Sequence, residues 1–391
     1  MNDDRPLRIA QLVDNFHVGG GELQFLSLLR GLRVAHEVHV GALRMEGALL
    51  SEVRATGIAP CEFPLGTSFA HPRTALQVVR LARWLRRIRA DVVHAHDFYT
   101  ELLAVPAARL AGCKSIVGRL DLAHWHGRVR HTLLAATTRA ADHAIANAEA
   151  VMALMRAEGV PARRMTLIRN GIDLTAFDAR LAQPPDAPLP EGRSVAVLVA
   201  NMRHEVKRQE DFIAALALMR VRRPDVQGWI VGEGGRQAQL EALAGQLGLA
   251  GTVHFLGRRR DVPAVLRRAT LGVLCSQQEG LSNAVIEGMA AGLPMVVTDA
   301  GGNRELVAHE KRGLVVPVRN PQALSEAMFR VLDDPMRARQ MGLAGRAFVA
   351  RELTLDRMIR EHEVLYRNLA TADGPAVQVS TADVRSAVSG I

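Results

Sequence analysis

The stretch SQQEGLSNAVIEGMAAGLPMVVTD, residues 276–299, combines a loop, a short helix and a buried strand, and this succession decides the fold class. Ser282 and Asn283 are favourable helix N-caps, because their side-chain oxygens accept hydrogen bonds from the first free backbone N–H groups. A helix is expected over residues 284–291, and the Gly-Leu-Pro that follows ends it. The apolar run 295–297 predicts a fully buried strand of the parallel type. The stretch therefore indicates an α/β protein.

The N-terminus of this helix is suited to a phosphate, because it offers unpaired N–H groups and the positive end of the helix dipole. Glu287 lies one turn inside the helix, roughly 6 Å along its axis, and its side chain tilts back toward the N-terminus. Glu279 lies just before the helix and can reach the same ligand from its other end. Two acids that flank an anion site suit neutral hydroxyls, such as a sugar and a ribose on either side of a diphosphate. A capped helix with two surface glutamates is the alternative.

The context EGLSNAVIEGMAAGLPMVVTD, with seven residues between the two glutamates, resembles the signature of the retaining glycosyltransferases of family 4. The resemblance implies the GT-B fold, an α/β architecture in which two Rossmann-like α/β/α domains face each other across a cleft. It also implies that the first glutamate contacts the donor sugar and the second contacts the nucleotide ribose. Glu279 is therefore a catalytic candidate. The substrate-binding candidates here are Leu281, Ser282, Asn283 and Glu287.

The chain begins with a second nucleotide-binding pattern, an apolar strand over residues 7–13, a glycine-rich loop and a helix from residue 22. The pattern departs from the dinucleotide fingerprint, because Gln24 stands where the third glycine is needed and no acid ends the second strand. We therefore exclude an NAD enzyme. The GGGE run instead resembles the Gly-Gly-x-Glu loop of the same family, which implies that Gly20 and Gly21 approach the donor phosphate. A tight strand-to-helix turn is the alternative.

The sequence HAHD, residues 94–97, follows a predicted strand. His96 therefore lies at the carboxyl end of that strand, where ligands bind in parallel sheets. His-x-His at this point also resembles the family and makes His96 a substrate-binding candidate. A metal site is weakly supported, because no further ligands lie at suitable spacing. Strand-end histidines satisfied by the backbone are the alternative.

The next predicted strand, SIVGRLD over residues 115–121, ends where many members of the family have a histidine that faces the donor sugar. Aligned residue by residue, Asp121 occupies that position, and His124 follows three residues later. Either Asp121 accepts from a hydroxyl of the donor sugar or acceptor, or His124 reaches in from the loop to replace the family's histidine. Capping the loop after the strand is the alternative role for Asp121.

In the second half, the loop after the predicted strand 195–200 contains Arg203 and Lys207, two fixed cations suited to stabilising a departing diphosphate. The chain has no Asp-x-Asp motif for a divalent metal, so we expect catalysis without a metal or any other cofactor. Family members commonly have Gly-Arg five or six residues before the lysine. Here the loop reads Ala-Asn-Met-Arg, and Arg203 takes that role from a shifted position. Arg258, after the predicted strand 253–256, is expected beside the nucleotide base.

Residues 74–89, TALQVVRLARWLRRIR, predict a basic amphipathic helix. Such a helix either lies on anionic lipid or forms the solvated face of a helix that packs on a sheet. The formal net charge of +9 favours anionic partners such as nucleotides or an anionic membrane surface. An aromatic content of 4% weighs against binding of single-stranded nucleic acid by stacking, so we expect no nucleic-acid partner.

The cysteines Cys61, Cys113 and Cys275 are isolated in the sequence, which favours reduced thiols in the cytosol. The N-terminal MNDDRPLRIAQLV starts acidic and lacks a long apolar run, so we expect no signal peptide. We also expect no membrane span, which needs about 18 uncharged apolar residues. The prediction is a cytoplasmic protein, with peripheral contact at the inner face of the membrane as the further hypothesis.

The domain organisation follows from the two α/β halves and from QPPDAPLPEG, a proline-rich segment without periodicity. The sequence NGID, residues 170–173, resembles the family's turn at the domain boundary. We expect a first domain over residues 1–180 with a returning helix over about 355–370, a linker over 183–192, a second domain over 193–352 and a loose tail over 371–391.

These features predict a glycosyltransferase that moves a sugar from a nucleotide-diphosphate sugar to a hydroxyl of a sugar or lipid-linked acceptor, and the resemblance implies that it retains the anomeric configuration. Cell-surface polysaccharide or glycolipid synthesis would be its setting. The resemblance implies a front-face mechanism, in which the departing phosphate oxygen takes the proton of the acceptor and Glu279 positions the donor sugar. The alternatives are an epimerase or phosphorylase-like enzyme of the GT-B fold and a non-catalytic nucleotide-sugar-binding protein.

Overall fold

The computed structural model describes residues 5–65, 72–122, 127–192 and 194–371. The chain divides into two compact units, the first comprising the residues up to Arg169 together with those from Asp356, and the second Asn170–Leu355. The chain therefore passes between the units twice, once after Arg169 and once after Leu355.

The first unit is built on a parallel sheet. Its strands are β1 (Arg8–Val13), β2 (Glu37–Ala42), β3 (Cys61–Glu62), β4 (Val92–Ala95), β5 (Lys114–Arg119), β6 (His143–Ala146) and β7 (Met165–Leu167). Their order across the sheet is β3-β2-β1-β4-β5-β6-β7. The helices before residue 170 are α1 (Gly20–Leu32), α2 (Leu50–Ala55), α3 (Pro72–Arg87), α4 (Phe98–Ala111), α5 (Arg128–Ala140) and α6 (Glu149–Ala157). Because β1 pairs with β2 on one side and with β4 on the other, the strand order reverses between β1 and β4. Parallel α/β sheets bind ligands beyond the carboxyl ends of the strands at such a point.

The second unit repeats this plan with a smaller sheet. Its strands are β8 (Ser194–Val199), β9 (Val226–Val231), β10 (Val253–Phe255), β11 (Leu271–Leu274), β12 (Met295–Thr298) and β13 (Gly313–Val316), in the order β10-β9-β8-β11-β12-β13. Its helices are α7 (Leu174–Leu181), α8 (Gln209–Met219), α9 (Gln237–Gln246), α10 (Val262–Leu266), α11 (Asn283–Ala290), α12 (Asn303–Val307), α13 (Pro321–Asp333) and α14 (Pro335–Glu352). All four residues of β11 and of β12 are buried, as the apolar runs predict for parallel strands covered on both faces. The strand order reverses between β8 and β11, so this unit also has a switch point.

The last described helix, α15 (Leu355–Thr371), follows the second unit in sequence but belongs from Asp356 onward to the first. Its residues Leu365 and Tyr366 are buried. It also packs against α1 where that helix has a glycine, since a Cβ at Gly31 would lie 2.1 Å from Ile359 Cδ1. The first unit is therefore completed by residues from the far end of the chain.

The observed division between the units differs from the expected domain boundaries. Helix α7 lies in the second unit rather than in a first domain that ends at residue 180, and its Asp178 pairs with Arg346 Nη2 at 2.5 Å. The proline-rich segment 183–192 also lies inside the second unit, where Asp186 N donates to Asp261 Oδ2 at 2.7 Å. The proline-rich segment contains no helix or strand, as expected. It does not, however, connect the two units.

The basic helix α3 differs in part from its prediction. Leu81 and Leu85 are buried as expected for an amphipathic helix, but Leu76 is 54% exposed and Val79 is 38% exposed. None of the helices within the described ranges is long and apolar enough to span a bilayer.

Candidate active site

Helix α11 forms where the glutamate-rich stretch predicts it. Ser282 is the N-cap, and its hydroxyl accepts a hydrogen bond from Val285 N at 3.5 Å, whereas Asn283 is the first helical residue. Gly292, with a φ of 77°, supplies the left-handed conformation that follows the helix. The backbone N–H groups of the first turn of a helix have no partners within it. The structure therefore provides the helix terminus that the phosphate hypothesis requires.

The side chain of Asn170 forms hydrogen bonds with residues at the N-terminus of α11, a contact that the sequence did not reveal. Its Nδ2 donates to Leu281 O at 3.1 Å and to Asn283 Oδ1 at 2.8 Å. Both acceptors belong to residues predicted to bind substrate. The NGID turn was the available signal, but only the fold shows that its asparagine orients the first residues of α11.

Lys207 and Glu279 meet directly, with Lys207 Nζ 2.6 Å from Glu279 Oε1. Two hydrogen bonds bring their loops together, one from Gln277 N to Val206 O at 2.7 Å and one from Cys275 Sγ to Arg208 O at 3.0 Å. The side chains are only 24% and 10% exposed. The predicted phosphate cation and the predicted sugar-binding carboxylate thus form one ion pair.

A glycine in the loop after β12 packs closely against the backbone of Glu279. Gly301 has a φ of 53°, and a Cβ there would lie 1.8 Å from Glu279 O. The next residue, Gly302, donates its N–H to Gly280 O at 3.0 Å. The backbone position of Glu279 therefore depends on the absence of a side chain at Gly301, a dependence that sequence reasoning missed.

Glu287 has the opposite environment to Glu279. Its carboxyl group has no hydrogen-bond or ion-pair partner among the residues that the structure describes. Burial raises the pKa of this carboxyl group to about 7. A partly buried carboxylate without a cation is suited to hydroxyl donors, since they can stabilise its ionised form without a competing charge. This agrees with the chemistry predicted for a ribose contact.

The side chains of Arg203 and Arg258 lie at the surface of the second unit. Arg203 is exposed, and Arg258 Nη1 lies 3.8 Å from Glu233 Oε1. Gly234, in the turn after β9, packs against the loop of Arg203, because a Cβ there would lie 2.2 Å from the Met202 carbonyl carbon. This turn therefore restricts the backbone that carries Arg203.

In the first unit, His96 follows β4 and its N–H donates to Leu12 O of β1 at 3.0 Å. The residue thus lies at the switch point between β1 and β4. Its Nε2 donates to Gln11 Oε1. Burial, together with the neighbouring His362, lowers the pKa of His96 to about 3, so its imidazole is neutral at physiological pH.

Asp97, the last residue of the HAHD motif, has a role that the sequence analysis did not assign. Its Oδ1 accepts from the backbone N–H groups of Tyr99 and Thr100, both at 3.0 Å, and caps α4. Its Oδ2 accepts from Asp14 N at 2.8 Å, which ties the loop after β1 to the loop after β4. Burial raises the pKa of Asp97 to about 7 despite these donors.

The remaining candidates of the first unit lie in loops or at their ends. Gly20 is the first residue of α1, and Gly21 has ordinary room for a Cβ, 3.4 Å from Leu120 Cδ1. Strand β5 ends at Arg119, two residues before the predicted end, so Asp121 lies beyond the strand and is exposed. His124 lies outside the described residues, and the choice between it and Asp121 stays open.

Within the described ranges, no group of three or more histidine, cysteine, aspartate or glutamate residues could hold a metal ion. The thiols of Cys61, Cys113 and Cys275 are unpaired.

Two family models match the chain. The model described as Glycosyltransferase Family 4 matches residues 18–176, and the model described as Glycosyl transferases group 1 matches residues 180–348. The two matches together include nearly all of the helices and strands of both units.

Curated relatives carry related names. The glycogen synthase of Mycobacterium tuberculosis (strain H37Rv) is 30% identical over 276 residues, which are 67% of this chain and 64% of the relative. The GDP-mannose-dependent monoacylated alpha-(1-6)-phosphatidylinositol monomannoside mannosyltransferase of Corynebacterium glutamicum is 34% identical over 198 residues, 47% of this chain and 51% of the relative. The chain therefore spans less than two thirds of the length of either relative.

Among solved structures, the Anabaena protein HepE in complex with UDP and glucose has a TM-score of 0.82 at 21% identity, covering 92% of this chain and 99% of that one. The likeness confirms the predicted fold class, since both units are parallel α/β domains of the GT-B type. The Glu-x7-Glu stretch had indicated the same relationship, and the two family matches establish it: this chain belongs to the glycosyltransferases of family 4.

Proposed function

We propose that this protein transfers a sugar from a nucleotide-diphosphate sugar to an acceptor hydroxyl, with retention of the anomeric configuration. The observation that carries the proposal is the Lys207–Glu279 ion pair just before the N-terminus of α11, with Glu287 one turn inside that helix. An ammonium group and a helix terminus bind a diphosphate. The two carboxylates accept hydrogen bonds from the hydroxyls at its two ends.

Donor binding changes the partner of Lys207. The diphosphate competes with Glu279 for the ammonium group, because it carries more negative charge than a single carboxylate. Glu279 then accepts a hydrogen bond from a hydroxyl of the donor sugar. Arg203, exposed in the same loop as Lys207, adds a second cation for the charge that develops on the leaving diphosphate.

The family resemblance supports a front-face reaction. The acceptor oxygen attacks the anomeric carbon from the side on which the bond to the diphosphate breaks, and the leaving phosphate oxygen takes the acceptor proton. Glu279 positions the sugar and forms no covalent bond to it. The fixed cations replace a metal, so full activity in EDTA is expected. Loss of turnover in EDTA that magnesium restores would contradict this part of the proposal.

The names of relatives support a nucleotide donor but differ in the base. HepE was solved with UDP and glucose, and the mannosyltransferase of Corynebacterium glutamicum depends on GDP-mannose. A thermal-shift panel of UDP-, GDP- and ADP-sugars, followed by a hydrolysis and transfer assay, therefore tests the proposal. We expect one class of donor to raise the melting temperature and to be slowly hydrolysed.

Three outcomes would decide against a transferase. A panel in which no donor changes the melting temperature would remove the nucleotide-sugar site. Tight donor binding without hydrolysis or transfer would favour a non-catalytic binding protein. A donor whose sugar changes configuration while it remains on the nucleotide would favour an epimerase.

The acceptor is proposed to be carried on a lipid at an anionic membrane surface. Helix α3 supports this, because Leu76 and Val79 are exposed on a helix that ends with Arg86 and Arg87. Apolar side chains beside arginines suit the boundary between lipid headgroups and acyl chains. The Corynebacterium glutamicum relative is named for a phosphatidylinositol acceptor, which is consistent with a lipid-linked substrate. Synthesis of a cell-surface polysaccharide or glycolipid is the setting that fits such an acceptor.

A further inference from the structure

Four polar side chains form a continuous row inside the first unit. Gln11 of β1 is the register partner of His94 of β4, and His96 lies two residues further along the chain, just after β4, so the two imidazoles lie on the same side of the sheet. Their ring centroids are 4.0 Å apart. Tyr366 of α15 closes the row from the side of the returning helix.

Hydrogen bonds connect the row from end to end. The Tyr366 hydroxyl lies 2.6 Å from His94 Nδ1, and Gln11 Nε2 donates to the same hydroxyl at 3.4 Å. Gln11 Oε1 accepts from His96 Nε2. Gln11, His94 and Tyr366 are at most 2% exposed. Water is therefore excluded from these three side chains, and each of them depends on its neighbours in the row for a partner.

The imidazoles of the row are neutral. Burial lowers the pKa of His94 well below its usual value and that of His96 to about 3. A neutral imidazole has one N–H and one bare nitrogen. Because Gln11 Oε1 can only accept, the hydrogen of His96 lies on Nε2, and Nδ1 is the bare nitrogen.

His96 Nδ1 takes no part in the hydrogen bonds of the row. It has no hydrogen-bond partner among the described residues, and His96 is the one member of the row that is partly exposed. The residue lies at the carboxyl ends of β1 and β4, where the strand order reverses. A neutral acceptor at a ligand-binding edge is suited to a hydroxyl and has no charge with which to attract a phosphate.

We propose that Gln11 and Tyr366 are positioning residues, which hold His96 in the Nε2–H tautomer so that Nδ1 accepts a hydrogen bond from a hydroxyl of the acceptor substrate. The inference rests on the proposed sugar transfer and adds the group that orients the acceptor. It also assigns a task to α15, since Tyr366 reaches the row only because this helix returns to the first unit.

One buried atom shows what this arrangement costs. His94 Nε2 has no partner among the described residues, and Tyr366 accordingly decides the tautomer of His94. With Tyr366 donating to Nδ1, the hydrogen of His94 lies on Nε2, where it is unpaired. Turning the Gln11 amide would reverse the row and leave His94 Nε2 as an unpaired acceptor in place of an unpaired N–H, but it would place a hydrogen on His96 Nδ1. The direction of the row is therefore the property to measure.

Side-chain ¹⁵N NMR of the full chain reads this property without any substrate. With the His96 signals assigned from a His96→Gln variant, we expect one neutral Nε2–H tautomer at pH 7.5 and no protonation of His96 down to pH 5. Tyr366→Phe should convert it to a mixture of tautomers. A single Nδ1–H tautomer, a mixture in the unaltered protein, or no change in Tyr366→Phe would each overturn the proposal.

Kinetics supply the second arm, with the methyl glycoside that accepts sugar fastest in a panel. Tyr366→Phe and Gln11→Met should raise the KM for this acceptor roughly tenfold, the loss expected for one misdirected hydrogen bond, and leave the KM for the donor unchanged. Leu365→Ala is the matched control, because Leu365 is equally buried on α15 but outside the row. If Leu365→Ala raises the KM for the acceptor equally, the effect of the row would be one of packing alone, and the proposal would be overturned. If no glycoside accepts sugar, the proposed function fails, and the NMR arm still decides the tautomer.

Discussion

The two units place polar groups at the same kind of sheet edge but treat their charge differently. In the second unit, Lys207 and Glu279 form an ion pair, and both side chains are only partly exposed. In the first unit, His94, His96 and Tyr366 are desolvated, and burial keeps both imidazoles neutral. The Lys207 ammonium group suits a diphosphate, whereas the neutral imidazole of His96 suits a hydroxyl. Under the proposed function, the second unit would bind the donor and the first unit the acceptor.

The largest effect is expected from Gly301→Ala, which tests how strictly the second unit must position the carboxylate of Glu279. A Cβ at this position would lie 1.8 Å from Glu279 O, so the loop must move. A displacement of about 1 Å can cost roughly 100-fold in turnover. Steady-state assays of transfer measure this, with Gly245→Ala as the control because a Cβ there meets nothing within 4 Å. Near-normal turnover in Gly301→Ala would show that Glu279 needs no such support.

Lys207→Ala removes the proposed diphosphate cation of the second unit. We expect nucleoside-diphosphate binding to weaken by roughly 1.5–3 kcal/mol, the range for hydrogen bonds to charged groups. Calorimetry with UDP, GDP and ADP measures the change, and Lys311→Ala, an exposed lysine of the same unit, is the control. Unchanged affinity for all three nucleotides would remove Lys207 from the site.

Glu287→Gln sharpens the comparison between the units. Glu287 belongs to the second unit, but burial shifts its pKa, as it does for the histidines of the first unit. Burial raises its pKa to about 7, so the folded protein binds this proton more tightly than the unfolded chain. The resulting stabilisation is complete below about pH 4.5 and is lost as the pH rises through 7. Glu287→Gln should therefore be more stable than the unaltered protein at pH 8, by at most about 3 kcal/mol, and equal to it near pH 4.

The same residue should make nucleotide binding depend on pH. Under the proposed function, ribose hydroxyls donate to the ionised carboxylate of Glu287. The affinity for nucleotide should then rise between pH 6 and pH 8, and Glu287→Gln should abolish this rise. Chemical denaturation and calorimetry at several pH values measure the two effects. Glu241→Gln, an exposed position of α9, is the control. A pH dependence that persists in Glu287→Gln would assign it to another group.

The smallest effect concerns the surface of the first unit. Replacing Arg80 and Arg83 of α3 by glutamate should reduce retention by vesicles that contain anionic lipid, by about 1 kcal/mol per arginine at low salt. Arg339→Glu, an exposed position in the second unit, should leave retention unchanged. Sedimentation with vesicles measures it. If the unaltered protein is not retained either, the membrane proposal is withdrawn.

The sequence predicted helix α11 and strand β12 of the second unit well, because their signals are local. The N-cap Ser282, the helix after it and the buried strand β12 follow one another within 24 residues, and each has its own propensity. The support from Gly301 was missed, since nothing in a glycine pair says which backbone it will approach.

The polar row of the first unit was beyond sequence reasoning for a different reason. Gln11 and Tyr366 are 355 positions apart, and no periodicity connects them. His96 was recognised from its place at a strand end, but its neutral state depends on burial and on the neighbouring His362 of α15. The division of the chain at Asn170 was equally hidden, because the prolines that suggested a linker lie inside the second unit.

The return of α15 to the first unit has a consequence for synthesis of the protein on the ribosome. Domains generally fold in order as they emerge, but the first unit lacks its last helix until the whole second unit has been made. Until then the groove beside Gly31 and the polar face that receives Tyr366 stay open to solvent. A fragment that ends at Arg169 would preserve this state permanently. The nascent first half is thus the stage at which chaperones have most to protect.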